Sequence, residues 1–311
     1  MSSQTNSVKV SVILTTYNSA AFVERAINSI LTQTYPIYEI VVVDDASTDE
    51  TISTVKKYLR GNSLKVIQSK HNMGPSFSRN KGLKYITGEF FAFMDSDDHW
   101  APDRLAVMVQ ALNTSKSDVV YCNQEIVDNN GSKLGIQSDS YPMRPTKNEK
   151  FMDFIFKRNV IGTSAVLARS SIAKKVLFDE TLRSAEDYDF WIRYASTGSS
   201  FHYIEKPLVY YRVHEFNISK DRELALISTQ KVLIKNHSLA RTDSAVNNMM
   251  RHYAVLVLSR LRLAESRAAC LLVLRDDFLK GYGYRYKTTR LITKIFGKYP
   301  AMFMWKVVAV S

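Results

Sequence analysis

Three carboxylates, Asp95, Asp97 and Asp98, fall within four residues directly after the apolar run Phe90 to Met94. Like charges so close together repel unless a cation stands among them. Hard oxygen ligands of this kind suit Mg2+ or Mn2+, ions that in turn hold substrate phosphates. A solvated acidic turn capping the next helix has the same composition. The stretch alone leaves both readings open.

Other polar residues follow other apolar runs. Thr15 and Tyr17 come after Val8 to Leu14, and Asp45 after Ile40 to Val43. Short apolar runs rich in Val and Ile read as buried strands, and open α/β sheets place their ligands beyond the carboxyl ends of such strands. An aromatic ring and acids without a glycine loop suit a nucleoside. Tyr17 would stack on a base, Asp45 would accept from its ring N–H, and the later acids would meet ribose hydroxyls and a metal. Sheet-edge packing for Tyr17 and a turn role for Asp45 are the plain alternatives. The loop from Thr15 to Ala20 holds no glycine, and neither GxGxxG nor GxxxxGK[ST] occurs. Dinucleotide binding and P-loop chemistry, which need backbone against phosphate, are therefore disfavoured.

Arg79, in a helix beginning after Gly74-Pro75, is placed to pair with Asp45 or a pyrophosphate, or to form a surface salt bridge. Glu186 and Asp187 open a segment whose Phe190 and Trp191 would pack inward. Carboxylates in a first helical turn are favoured by the dipole, and one near a sugar hydroxyl can act as general base. Capping is the competing role. His214 closes the strand Leu208 to Val213, and joins a site only if the chain folds it back beside Asp97.

The elements that must position these residues alternate. Strands are expected at 8–14, 40–43, 64–68, 90–94 and 118–122. Helices are expected at 20–33 (capped by Ser19), from the Ser47-Thr48-Asp49-Glu50 capping box to Arg60, and at 76–85 and 102–112. This pattern implies βαβ units and a largely parallel sheet covered on both faces. The alternation then weakens. Asn130-Gly131 marks a hairpin, 151–156 and 187–194 look helical, and 164–167, 201–204 and 208–213 look like strands. The pattern is helical after Ser219.

The quoted segments resemble, in order, the motifs of family 2 glycosyltransferases. They are Val10 to Asn18, Val42 to Asp49, Asn72 to Asn80, Met94 to Asp98, Glu186 to Trp191 and Tyr211 to His214. The resemblance covers about residues 8–219. It implies a GT-A fold: α/β, with a Rossmann-like, mostly parallel central sheet and flanking helices, to which a C-terminal helical extension is added. The nucleotide-sugar half would span about 8–122 and the acceptor half about 123–219, making a domain of 1–219 followed by a basic helical region at 220–311.

The resemblance further implies inverting transfer from a nucleotide-sugar. Thr15, Tyr17 and Asp45 would hold the base and Arg79 would neighbour the nucleotide. Asp95 would lie nearer the ribose and Asp97 would bind Mn2+ or Mg2+, with Asp98 and His214 as further metal candidates. Asp187 would be the catalytic base, with Glu186 the second candidate. The processive members' Gln-x-x-Arg-Trp motif is absent, so single-sugar addition is expected. A UDP-sugar donor and a polyprenyl-diphosphate-linked glycan acceptor, in surface polysaccharide synthesis, are the expected partners. A catalytically inactive sugar-nucleotide binder is the alternative.

The net charge of +12 is uneven: residues 216–311 carry 17 Lys and Arg against 6 Asp and Glu, while 1–215 carry 25 against 24. Basic stretches interleaved with Trp, Phe and Tyr, such as Phe278 to Lys287 and Tyr299 to Val308, suit an anionic membrane interface. They also suit single-stranded nucleic acid. That reading is disfavoured because it leaves the acidic strand ends unexplained, so no nucleic-acid partner is expected. Cys122 and Cys270 form no CxxC, which argues against a zinc site or disulfide framework. No apolar leader or run of 18 apolar residues is visible. The expected location is cytoplasmic, peripheral at the inner face of the plasma membrane.

Overall fold

The computed structural model describes residues 7–59, 64–215, 217 and 220–263. The strands β1 (Val10–Thr16), β2 (Glu39–Asp44), β3 (Leu64–Gln68) and β4 (Phe90–Asp95) pair in parallel in the order β3-β2-β1-β4. Both sides of this half-sheet are buried, and the residues sort by their period of two. Val12, Leu14, Val42, Phe90, Ala92 and Met94 pack on helices α1 (Val23–Leu31) and α4 (Arg104–Ser115). Ile13, Val41, Val43, Phe91 and Phe93 lie on the opposite side, in the core with Leu83 of α3 (Pro75–Tyr85). Full burial of each such side chain stabilises by about 1.5–3 kcal/mol. Gly82 lets α3 sit tightly on β1, because a Cβ there would meet Ile13 Cγ2 at 2.4 Å.

Helix α2 (Thr51–Lys56) is shorter than its sequence suggests, and the capping box does not form. Asp44, buried at the end of β2, takes the Ser47 hydroxyl (2.5 Å) and backbone N–H (3.0 Å), while Asp49 accepts from the Thr51 N–H (3.0 Å). Ser19 likewise does not cap α1 with its side chain; its hydroxyl meets Ser96 Oγ at 2.6 Å.

The second half continues the sheet in mixed sense. Strand β5 (His99–Trp100) is followed by β6 (Val119–Val127), β7 (Lys133–Ile136), β8 (Val166–Arg169) and β9 (Phe201–Arg212). From β4 the order runs β8-β6-β9-β5, with β7 on β6. The two strands expected at 201–204 and 208–213 are one. The pairing of β9 with β6 shifts register around Pro207, which has no N–H to offer. Helices α5 (Phe151–Ile155), α6 (Ser170–Val176) and α7 (Glu186–Ser196) cover one face.

Helices α8 (Arg222–Lys235) and α9 (Asp243–Leu263) carry the chain past residue 220. Val232, Leu233, Ala245, Met249 and Tyr253 join the core that holds Phe190 and Trp191. Asn236 Nδ2 donates to Asp189 (2.8 Å) and Thr242 Oγ1 to Asp153 (2.6 Å). The aromatic and basic stretches beyond Leu263, and Cys270 with them, lie outside the described residues. No helix among the described residues is long and apolar enough to cross a membrane.

Candidate active site

The strand order reverses between β1 and β4, and the carboxyl ends of β1, β2 and β4 open there into one cleft of about 1120 Å3. Such a switch point separates the loops that follow neighbouring strands and leaves a crevice for ligand. The loops are tied to one another. Asn18, at φ 45°, donates its N–H to Ser47 Oγ (2.9 Å) and accepts from the Thr48 N–H (2.9 Å). Ala46 (φ 65°) and Ala185 (φ 58°) are also left-handed. Non-glycine residues held in this region cluster where function constrains the backbone.

Tyr17 stands at the mouth with 48% of its surface exposed, so a ring face is open to a planar ligand. Asp45 is buried and its carboxylate accepts from the backbone N–H groups of Met73 (2.9 Å) and Gly74 (2.7 Å). It therefore orders the loop before α3, and retains lone-pair capacity toward the cleft it lines. Gly74 takes φ 89° at this turn, a conformation that favours glycine.

Arg79 comes up from α3, 5% exposed, and bridges two walls. Its Nη2 donates to Asp95 (2.9 Å) and its Nη1 to Glu186 (2.7 Å). Burial alone would lower its pKa; the charges of Asp95 and Glu186 more than reverse that, so it stays a guanidinium. Asp45 is not its partner. Asp95 also accepts from Thr15 Oγ1 (3.3 Å), and its N–H donates to Ser164 Oγ (3.1 Å). Ser164 is fixed in turn through its carbonyl by Trp100 Nε1 (3.0 Å) and the buried Arg104 Nη2 (2.9 Å).

The acids after β4 divide. Asp97 keeps its carboxylate in the cleft, with His214 Nε2 at 2.9 Å from Oδ2. The chain does fold His214 back beside Asp97, because β5 pairs with the end of β9. Asp98 is 3% exposed and accepts from the Arg212 N–H at 3.1 Å. Burial first, then the charges of Asp97 and Asp95, raise its carboxyl well above the ordinary range. Asp97 is thus the more open acid, and with the buried His214 beside it makes an O and N pair that suits a divalent cation completed by phosphate oxygens and water. No cluster of three potential ligands among the described residues forms a ready-made metal cage.

Across the cleft, α7 begins with Glu186 and Asp187. Asp187 Oδ2 accepts from Asn159 Nδ2 (2.9 Å) and Oδ1 from the Tyr188 N–H (2.7 Å). Burial first, and then the neighbouring Glu186, push its carboxyl up to about 6. A carboxylate so poised is mostly ionised at neutrality, half-protonated near pH 6, and can accept a proton in a transition state. Glu186 is held by Arg79 instead. Asn18, Asn159 and Ser164 were given no site role by the sequence: Asn18 and Asn159 lie in irregular chain, and Ser164, read as the start of a strand, sits in a single 3-10 turn before it.

The family model of glycosyl transferase family 2 matches residues 11–175, over half of the chain. The chain belongs to this family. It is 28% identical over 249 residues to the UDP-Glc:α-D-GlcNAc-diphosphoundecaprenol β-1,3-glucosyltransferase WfaP of Escherichia coli, covering 78% of this chain and 95% of that one. An uncharacterised glycosyltransferase of Rickettsia typhi is 32% identical over 69% of this chain and 67% of its own length. The poly(ribitol-phosphate) β-N-acetylglucosaminyltransferase TarS of Staphylococcus aureus is 32% identical over 66% of this chain, which spans only 35% of that protein.

The structure of TarS residues 1–349 with UDP-GlcNAc superposes with a TM-score of 0.71 at 26% identity, covering 88% of this chain and 81% of that one. A Pyrobaculum calidifontis mannosyltransferase, solved with GDP-Man and Mn2+, shares the fold with a TM-score of 0.59 at 20% identity, covering 94% of this chain and 89% of that one. The protein is a glycosyltransferase with the GT-A fold.

Proposed function

We propose that this glycosyltransferase moves a single sugar from a UDP-sugar to a hydroxyl of a lipid-linked glycan with inversion. The observation that carries the reading is the placement of Asp187. It is a half-buried carboxyl raised to about 6, and it lines the same cleft as Tyr17, Asp45, Asp95 and Asp97. The donor class is supported by the UDP-GlcNAc of the TarS structure, and the acceptor class by the diphosphoundecaprenol substrate in the name of WfaP.

Tyr17 stacks on the base, Asp45 accepts from its ring N–H, and Asp95 meets the ribose; Thr15, expected at the base, donates to Asp95 and would stand between the two. Asp97 and His214 would hold Mn2+ or Mg2+, whose charge stabilises a departing diphosphate. Arg79 holds Asp95 and Glu186 in place. The acceptor oxygen attacks the anomeric carbon as the bond to the diphosphate oxygen breaks. The acceptor proton passes to Asp187, and one displacement inverts the configuration.

The chain would work at the cytoplasmic face of the plasma membrane, in surface polysaccharide synthesis such as that of lipopolysaccharide, where its basic C-terminal region meets anionic lipid. A screen of nucleotide-sugars for thermal stabilisation, with and without Mn2+, tests the donor reading. A UDP-sugar should stabilise the wild type more with metal than without. In Asp97→Ala the metal-dependent part should vanish, a loss of about tenfold in donor affinity, equivalent to about 1.4 kcal/mol. An undiminished metal effect would remove Asp97 from the metal site.

A further inference from the structure

The wall of the cleft opposite the nucleotide residues contains a chain of side-chain contacts not used above. Gln124 Nε2 donates to Gln137 Oε1 (2.9 Å), and Gln137 Nε2 donates to Tyr141 Oη (3.0 Å). All three residues line the cleft. Gly162 makes room for this wall, since a Cβ there would meet Gln124 Nε2 at 2.4 Å. At its outer end the guanidinium of Arg158 lies 4.0 Å from the centroid of the Tyr141 ring.

Arg158 is exposed and next in sequence to Asn159, whose amide holds Asp187. Its neighbour Lys157 is neutralised by Glu149 at 2.7 Å, whereas no carboxylate among the described residues bridges Arg158. The segment 144–158 carries five Lys and Arg against two Asp and Glu, and one of those acids, Asp153, is buried and accepts from Thr242. A guanidinium held over an aromatic ring by its face still has N–H groups to donate. Its planar fork matches phosphate oxygens. The amide and phenol groups beside it give the cleft wall further hydrogen-bonding side chains.

We propose that Arg158, seated on Tyr141, binds an anionic phosphate group of the acceptor, while the Gln124–Gln137–Tyr141 wall receives the acceptor sugar. The acceptor is then a sugar phosphate derivative and not a neutral glycan. The phosphate is either the diphosphate of a lipid-linked sugar or a phosphodiester along a polymer. This rests on the transferase reading of the cleft and adds the acceptor's charge to it.

The test is calorimetric titration of the full chain, saturated with UDP and Mn2+, with three probes: an α-GlcNAc diphosphate alkyl ester, the matching neutral α-GlcNAc alkyl glycoside, and a short ribitol-phosphate oligomer. In the wild type at least one phosphate probe should bind ten or more times tighter than the neutral glycoside, and the probe that does so identifies the source of the phosphate. Arg158→Ala should abolish that preference, and Arg158→Lys should restore part of it. UDP affinity should stay within twofold in both variants.

A charge preference retained in Arg158→Ala overturns the proposal. So does a wild type that binds neither phosphate probe tighter than the neutral one. Failure of the wild type to bind UDP would instead strike the underlying donor reading.

Discussion

The two walls of the cleft hold their carboxylates in opposite ways. On the strand-end wall, Asp95 meets the guanidinium of Arg79 and Asp97 meets His214, and both acids keep about 30% and 27% of their side chains exposed. On the wall built by α7, Asp187 is half-buried and meets no cation: it accepts from a neutral amide and from an N–H of its own helix. The first arrangement sets each acid beside a basic side chain at the open cleft, where cations and hydroxyls can meet it. The second leaves a proton only loosely excluded. The adjacent pair Glu186 and Asp187 shows the contrast at the shortest distance: one residue is tied to Arg79, and its neighbour is left to take a proton.

The contrast breaks most sharply at Asp187. Asp187→Asn should lower transfer by about 10^3-fold, within the range for loss of a general base, while UDP-sugar affinity measured by calorimetry changes less than twofold. Loss of donor binding would show that Asp187 belongs to the other wall.

The same variant has a stability signature. The folded pKa of Asp187 lies above that of an unfolded aspartate, so its contribution to stability is full below about pH 4 and is lost as pH rises through about 6. Asp187→Asn should therefore be more stable than wild type at pH 8 by on the order of 1–2 kcal/mol, and the gap should close toward pH 4. Urea unfolding at the two pH values reads it.

On the strand-end wall the expectation reverses. Arg79→Met leaves Asp95 and Glu186 without their shared cation and should cost about 3 kcal/mol of unfolding free energy at pH 7, as for a buried pair that loses one partner. A loss below 0.5 kcal/mol, on the scale of a surface pair, would mean that the bridge does not hold the walls together.

The smallest effect sharpens the comparison. Asn159 donates to the ionised form of Asp187 and so lowers its pKa against burial. Asn159→Ala should move the acid limb of the transfer rate upward by about half a pH unit, equivalent to about 0.7 kcal/mol. A purely structural role would lower the rate without moving the limb.

The strand-end wall was legible in the sequence because fully buried strands leave unbroken apolar runs, and Asp45 and Asp95 stand where those runs stop. The α7 wall was legible only in its acids. Their partner Asn159 lies in irregular chain 28 residues away, and such pairing leaves no local mark. Strand β5 is two residues long, too short to show a period, yet it brings His214 to Asp97. The capping box failed for a physical reason. Ser47 Oγ donates back to Asp44 and accepts from the N–H of Asn18 in the neighbouring loop, so its oxygen serves a tertiary contact and not a helix N–H. The strands read at 201–204 and 208–213 are one, because the sheet tolerates a register shift at Pro207 between them.

The pH dependence of kcat/KM for the acceptor, at saturating donor and metal, tests the central claim most directly. With Asp187 as the base, the wild type should lose activity tenfold per unit below an apparent pKa of about 6. Activity that stays flat from pH 7 down to pH 4.5 would contradict the assignment of Asp187 as the group that takes the acceptor's proton.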